Sequence, residues 1–225
     1  MTVDLETPAV PELIFMAKGA EVDPTRPIFT GDVFRRRDGS TMWAVLQHPC
    51  ALRREGSDLL EQILVARVVE VQGHRSSWSK EAYRRMPLPG LQEGHEKHSI
   101  DFLALDLLGP DDLLDGCERI AVLSEQGVNL LLQRWVHHNS RVVVKTITFN
   151  EQISGPFAEA DLQAEWMTDL EGTDSATSAA FHEWIRAGAE GGAGVNRQTL
   201  LDDPQTRAGV RRQMRVEIKA RLAAE

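Results

Sequence analysis

Asp38-Gly39 lies between two strand-like runs, Gly31 to Arg37 and Ser40 to Leu46. An Asp-Gly pair in that position folds a chain back on itself, because a tight hairpin turn needs the positive φ that glycine adopts without strain. The pair therefore predicts a type I′ hairpin and commits the front of the chain to antiparallel β-structure. Further strand-like runs follow at Gln62 to Gln72, Ser99 to Leu107, Arg119 to Leu123 and Arg141 to Phe149. Each is rich in β-branched or alternating apolar residues. Ser99 to Leu107 reads as mostly buried on both faces. Residues 73–98, with Gly73, Pro87, Pro89, Gly90 and Gly94, read as one long irregular loop.

One helix interrupts the strands. Ser124 is a good N-cap, and Val128, Leu131, Leu132, Trp135 and Val136 repeat at helical spacing behind it. Asn139 is placed to close it. From Pro156 onward the β signals vanish. Helices are predicted over Glu159 to Leu170 and about Ser175 to Ala189, then a flexible link at Gly191 to Gly194. A last helix is opened by Asp203 as cap with Pro204 at its first position. Residues 1–29 hold Pro8, Pro11, Pro24 and Pro27 and read as an extended arm. The expected fold class is α+β: a small, partly open β-barrel over residues 30–150 with one internal helix, and a helical C-terminal appendage over 156–225. Strand–helix alternation is absent, which fits a small, partly open barrel better than a wound parallel sheet.

The closing helix carries a narrow apolar seam of Val210, Met214, Ile218 and Leu222, flanked by Arg207, Arg211, Arg215 and Lys219. A seam this narrow suits a groove or a partner helix, and equally a surface helix of the same chain. Val210, Met214, Ile218, Leu222, Arg211 and Arg215 are thus the candidate partner-binding residues, for a protein partner or a homodimer. Charge bears on the partner's chemistry. The chain of 225 residues has a net charge of −9, and residues 101–204 alone carry 6 Lys+Arg against 18 Asp+Glu. Residues 205–225 carry 6 against 2. A basic tail beside an acidic body favours docking on that body over coating a nucleic acid.

The best case for nucleic acid lies in the first half. Arg35 and Arg36 flank the hairpin, Arg53 and Arg54 follow it, and Arg75, Lys80, Arg84 and Arg85 surround Trp78 and Tyr83. Arginines that hold phosphates beside rings that stack bases are the means by which single strands are gripped. A solvated hairpin tip and an exposed loop account for the same residues. Catalytic patterns are sparse. His48 and Cys50 leave a strand together, and an imidazole can activate a thiol, yet no third group orients them. Cys50 and Cys117 lie far apart, as in a reduced cytoplasmic protein. His95-x-x-His98 has a spacing that can ligate zinc, without a completing pair. His137-His138 sit where a helix end favours positive charge. There is no glycine-rich phosphate loop, no nucleophile elbow and no zinc-protease motif, so no cofactor is implied. Met1 to Glu6 lacks the basic and apolar regions of a secretory signal, and the apolar runs are too short to span a bilayer, so a cytoplasmic location is expected.

Gly31-Asp32-Val33-Phe34, the turn and Trp43-Ala44-Val45-Leu46 together resemble the opening of the MazF/PemK toxin family. The likeness covers about forty residues. It implies an SH3-like barrel, and in that family the barrel is an endoribonuclease with an antitoxin partner. The family's Arg-Pro before the second strand is replaced here by Thr41-Met42, and its Pro-x-Thr by Ala66-Arg67-Val68. No catalytic residue is carried over. The expected function is a non-catalytic interaction module that binds a protein partner or self-associates, and the resemblance implies a toxin–antitoxin or defence setting. The alternative is an RNA-binding or endoribonuclease-like protein using Arg35, Arg36, Arg53, Arg54, Trp78, Arg84 and Arg85.

Overall fold

The computed structural model describes residues 4–54, 58–71, 78, 83–92, 98–172, 174–189 and 194–224. The chain divides into two compact units, Met1–Val22 with Phe29–Asn150, and Asp23–Ile28 with Glu151–Glu225. The arm expected over residues 1–29 is accordingly shared between them.

The first unit is built on strands β1 (Phe15–Lys18), β2 (Asp32–Arg36), β3 (Met42–Val45), β4 (Arg53–Arg54), β5 (Asp58–Leu59), β6 (Ile63–Glu70), β7 (Arg85–Leu88), β8 (His98–Leu108) and β9 (Cys117–Leu123). Among the described residues, seven of these form one antiparallel sheet in the order β1-β9-β2-β3-β6-β8-β7, and β4 pairs with β5 apart from it. The sheet curls into a half-barrel. Its two outer strands approach at one end, where the Lys18 ammonium at the end of β1 donates to the carbonyl of Gly90 just after β7, at 2.8 Å. Its core holds Val33, Phe34, Val45, Val65, Ile100, Phe102 and Val122, all buried.

The hairpin forms, with Val33 opposite Ala44 and Phe34 opposite Trp43. Its turn is not type I′. The Arg36 amide donates to the Thr41 carbonyl at 2.9 Å, so four residues bridge the strands. Only Gly39 among them has positive φ, at 74°. Two further expectations need correction. Residues 73–98 are not wholly irregular, since β7 lies within them, and Pro87 is tolerated there because β7 is an outer strand that needs no second ladder. The run Arg141 to Phe149 is not a strand. Helix α1 (Pro110–Leu114) precedes β9, and α2 (Glu125–Ser140) follows it. Arg141 then turns the chain at φ 61°, and α3 (Thr146–Asp169) begins at once.

Helix α2 lies against β7, β9 and a short 3-10 turn at Pro11–Ile14. Ser124 caps it as expected, accepting from the Gly127 amide, while its hydroxyl donates to the Leu13 carbonyl at 2.7 Å. Gly127 is required by this close approach: a Cβ there would lie 2.2 Å from the Ile14 carbonyl oxygen. Asn139 does not close the helix. Its side chain donates back to the Trp135 carbonyl at 2.7 Å, and Arg141 takes the left-handed position.

The second unit is helical, formed by α3 from Glu151 onward, α4 (Ser175–Arg186) and α5 (Pro204–Leu222). Asp174 caps α4 and Asp203 caps α5, with Pro204 in its first turn. The core comprises Leu162, Trp166, Met167, Phe181, Trp184, Ile185, Leu201, Val210, Met214 and Ile218. The α5 seam is therefore sealed within its own unit at Val210, Met214 and Ile218. Only Leu222, half exposed, remains outside. Arg211 and Arg215 both reach Glu165 on α3, at 3.0 and 2.7 Å. Among the described residues no helix is long and apolar enough to cross a membrane.

Candidate functional site

Two surfaces of the first unit stand out chemically. The first is the outer half of β8. β7 pairs with β8 only from His98 to Asp101, and the Phe102 amide adds one bond to Arg84. Beyond that point β8 continues to Leu108, held by β6 on one side. Among the described residues its other side has no strand partner. Side chains alternate across a strand, so Leu103, Leu105 and Leu107 share one face. That face is open: the three leucines are 64%, 41% and 57% exposed. The expectation that both faces of this strand are buried holds only for its first half. On the opposite face Asp106 accepts from the Trp43 indole at 2.9 Å and from Arg67 at 3.1 Å. These bonds hold its carboxyl below the ordinary aspartate range.

The second surface gathers rings and cations along the last turns of α2. Phe102 of β8 lies 5.7 Å from both Trp135 and His138, and Trp135 stacks on His138 at 5.9 Å and 10°. Tyr83, just before β7, meets His137 edge-on at 6.1 Å. The Arg141 guanidinium sits 4.2 Å over the Tyr83 ring and that of Arg84 at 5.7 Å. One helix face supplies Arg134, His137, His138 and Arg141 at i, i+3, i+4 and i+7. Arg134 is wholly buried, its guanidinium 4.8 Å from the Trp78 ring. Its Nη2 donates to the carbonyls of Glu6 and Trp78, at 3.2 and 3.3 Å, while Nε and Nη1 have no hydrogen-bond partner among the described residues. Burial lowers its pKa to about 10. A positive charge remains at neutral pH.

The expected nucleic-acid residues are divided by the fold. Trp78 and Arg84 come to this cluster. Arg85, beside them in sequence, pairs with Asp101 at 2.9 Å. Arg35 pairs with Glu118 at 2.7 Å and Arg36 with Asp38 at 3.5 Å, on the hairpin. Arg53 and Arg54 lie on the separate β4–β5 ribbon. Arg75 and Lys80 lie outside the described residues. Sequence reasoning missed Arg134, Trp135 and Arg141, although their helical spacing with His137 and His138 was a usable signal.

His48 and Cys50 meet through the backbone. The His48 Nδ1 accepts from the Cys50 amide at 3.3 Å and so caps a 3-10 turn at Pro49–Ala51. Burial lowers the pKa of His48, and Cys50 is exposed. His98 is buried within β8, and His95 lies outside the described residues. Among the described residues no group of His, Cys, Asp and Glu is arranged to hold a metal. Compared with protein families, with curated proteins and with solved structures, the chain matches none.

Proposed function

We propose that this chain is a non-catalytic interaction module that pairs with a second copy of itself along the open half of β8. The observation that carries the reading is the exposed row Leu103, Leu105 and Leu107 on a half-strand that has β6 on one side and, among the described residues, no strand on the other. The Leu103 amide is held by the Asp101 carboxylate, which leaves Ala104 to Leu107 as the segment open to a partner. An unpaired edge offers amide and carbonyl groups to another strand, and natural sheets usually blunt it with charge. Here the exposed face is leucine instead. The segment is also suited to itself. A twofold axis through Leu105 sets Leu103 opposite Leu107 and Ala104 opposite Asp106 in an antiparallel pair. No like charges face each other directly, and Asp106 is already satisfied within its own chain. On this reading the half-barrel is a variant of the SH3-like barrel suggested by the MazF/PemK resemblance, with the Gly31–Leu46 hairpin as the shared element.

Light scattering on the eluted full chain tests the proposal. The native protein runs at twice the monomer mass, and Leu105→Lys, which plants a charge on the edge, runs as a folded monomer. A native chain that stays monomeric at its highest soluble concentration ends the reading.

A single-stranded nucleic acid is the second reading, favoured by the Tyr83–Arg141 stack and the neighbouring rings. It predicts anisotropy-detected binding of a mixed RNA pool that weakens steeply with salt. Tyr83→Ala then weakens binding by about tenfold, the worth of one stacked base. Absence of binding at low salt excludes it.

A further inference from the structure

Arg134 shares a face of α2 with His137, His138 and Arg141, yet it alone of these is wholly buried. The arm lies across it. The Glu6 amide donates to Gln133 Oε1 at 2.8 Å, and the Glu6 carbonyl accepts from Arg134 Nη2. The Glu6 carboxylate is turned elsewhere, accepting from the Thr146 amide and hydroxyl and from Gln133. The arm therefore gives Arg134 a backbone carbonyl and no counter-ion. The Trp78 ring covers the guanidinium, but Nε and Nη1 find no hydrogen bond among the described residues. A buried cation left so poorly matched costs stability, and exposure to water or to an anion relieves that cost.

The cover is fastened at two points. Leu5 and Pro8 are buried on either side of Glu6. Further on, the Ile14 and Leu13 carbonyls accept from the Ser124 amide and hydroxyl. Between these points Ala9, Val10 and Glu12 are exposed. A segment held by so few buried side chains opens locally at a smaller cost than the unit it covers.

We infer that residues 5–8 form a strap that keeps Arg134 from solution, and that its release adds this cation to the surface of Tyr83, Arg84 and Arg141, where a single-stranded nucleic acid binds. The ligand rests on the nucleic-acid reading above, and the strap does not. Only the open form offers the full set of cations. The native chain therefore binds with an affinity reduced to the fraction of molecules whose strap is open.

Phenylglyoxal, which modifies accessible guanidinium groups, tests the strap through peptide mass mapping of the full chain. In the native protein Arg134 reacts far more slowly than Arg141. Leu5→Ala removes an anchor of the strap without changing the charge, and it speeds the modification of Arg134 about tenfold, the worth of the lost apolar contact. Arg119, buried in the same unit beside Asp32, stays protected in both proteins. At low salt Leu5→Ala binds a mixed RNA pool about tenfold more tightly by anisotropy, and Arg134→Gln, checked for folding by circular dichroism, abolishes that gain. Arg134 that stays protected in Leu5→Ala, or that opens only together with Arg119, overturns the strap. Arg134 that opens while RNA binding is unchanged overturns its part in binding. Opening of Arg134 with no RNA bound by either protein ends the nucleic-acid reading and upholds the strap alone.

Discussion

Met214→Asp unfolds the second unit. Met214 is wholly buried in the cluster formed with Trp166, Phe181, Trp184, Ile185 and Ile218. Removing a buried methionine side chain from such a core costs about 2–5 kcal/mol through lost burial and the cavity left behind. The carboxylate adds an uncompensated charge, or a raised pKa if it protonates. Together these approach the whole stability of a typical domain. Urea titration followed by tryptophan fluorescence reads the effect, since Trp166 and Trp184 line the same core. Met214→Leu preserves volume and costs less than about 1.5 kcal/mol. Val216 is 65% exposed on the same helix, so Val216→Asp stays within about 0.5 kcal/mol of the parent. If Met214→Asp instead stayed folded and lost only association, α5 would be a docking helix after all.

The seam shows what a single sequence can and cannot reveal. The four-residue spacing of Val210, Met214 and Ile218 marks the buried face of α5, and Asp203-Pro204 marks its start. Both are local signals. What covers that face is non-local: the aromatic residues come from α3 and α4, whose helices were legible but whose approach to α5 was not. The same division runs through the first unit. The hairpin and the cap at Ser124 are written in adjacent residues. β1 is hidden in a proline-rich arm, and β7 in a stretch whose Pro87 argues against a strand until the position is known to be an edge. The candidate sites follow the pattern. Arg84 and Trp78 were legible as basic and aromatic, but the helix face that receives them, with Arg134 and Arg141, depends on tertiary packing. The open leucine row of β8 reads locally as a doubly buried strand, because exposure depends on where β7 stops.

Arg141 to Phe149 is the sharpest conflict between local preference and tertiary structure, and Glu6 is the residue that decides it. Alternating β-branched residues favour an extended chain there. The helix begins at Thr146 because Glu6, 140 positions away, accepts from the Thr146 amide at 2.8 Å and from its hydroxyl at 2.6 Å. Gln133 ties the two segments together, donating to Glu6 at 3.2 Å and to the Val144 carbonyl at 2.7 Å. Burial alone raises the pKa of Glu6, but the Thr146 hydroxyl and amide, Gln133 and the charge of Lys145 outweigh it and hold it below the ordinary value. A carboxyl whose folded pKa is depressed contributes its full stability above its unfolded pKa, about 4.3, and loses it as pH falls through the folded value. Glu6→Ala should therefore cost about 2–3 kcal/mol at pH 7, the worth of a charge-assisted cap, and less at pH 3. The gap between parent and variant should close progressively below about pH 4.3. Urea unfolding of both proteins at pH 7, 4 and 3 measures that gap, and the other depressed acids cancel in the difference. Amide exchange supplies the local readout: Thr146 to Phe149 should lose protection in Glu6→Ala while α5 keeps its own. A gap that is constant with pH would mean that the carboxylate's charge has no part in holding the start of α3.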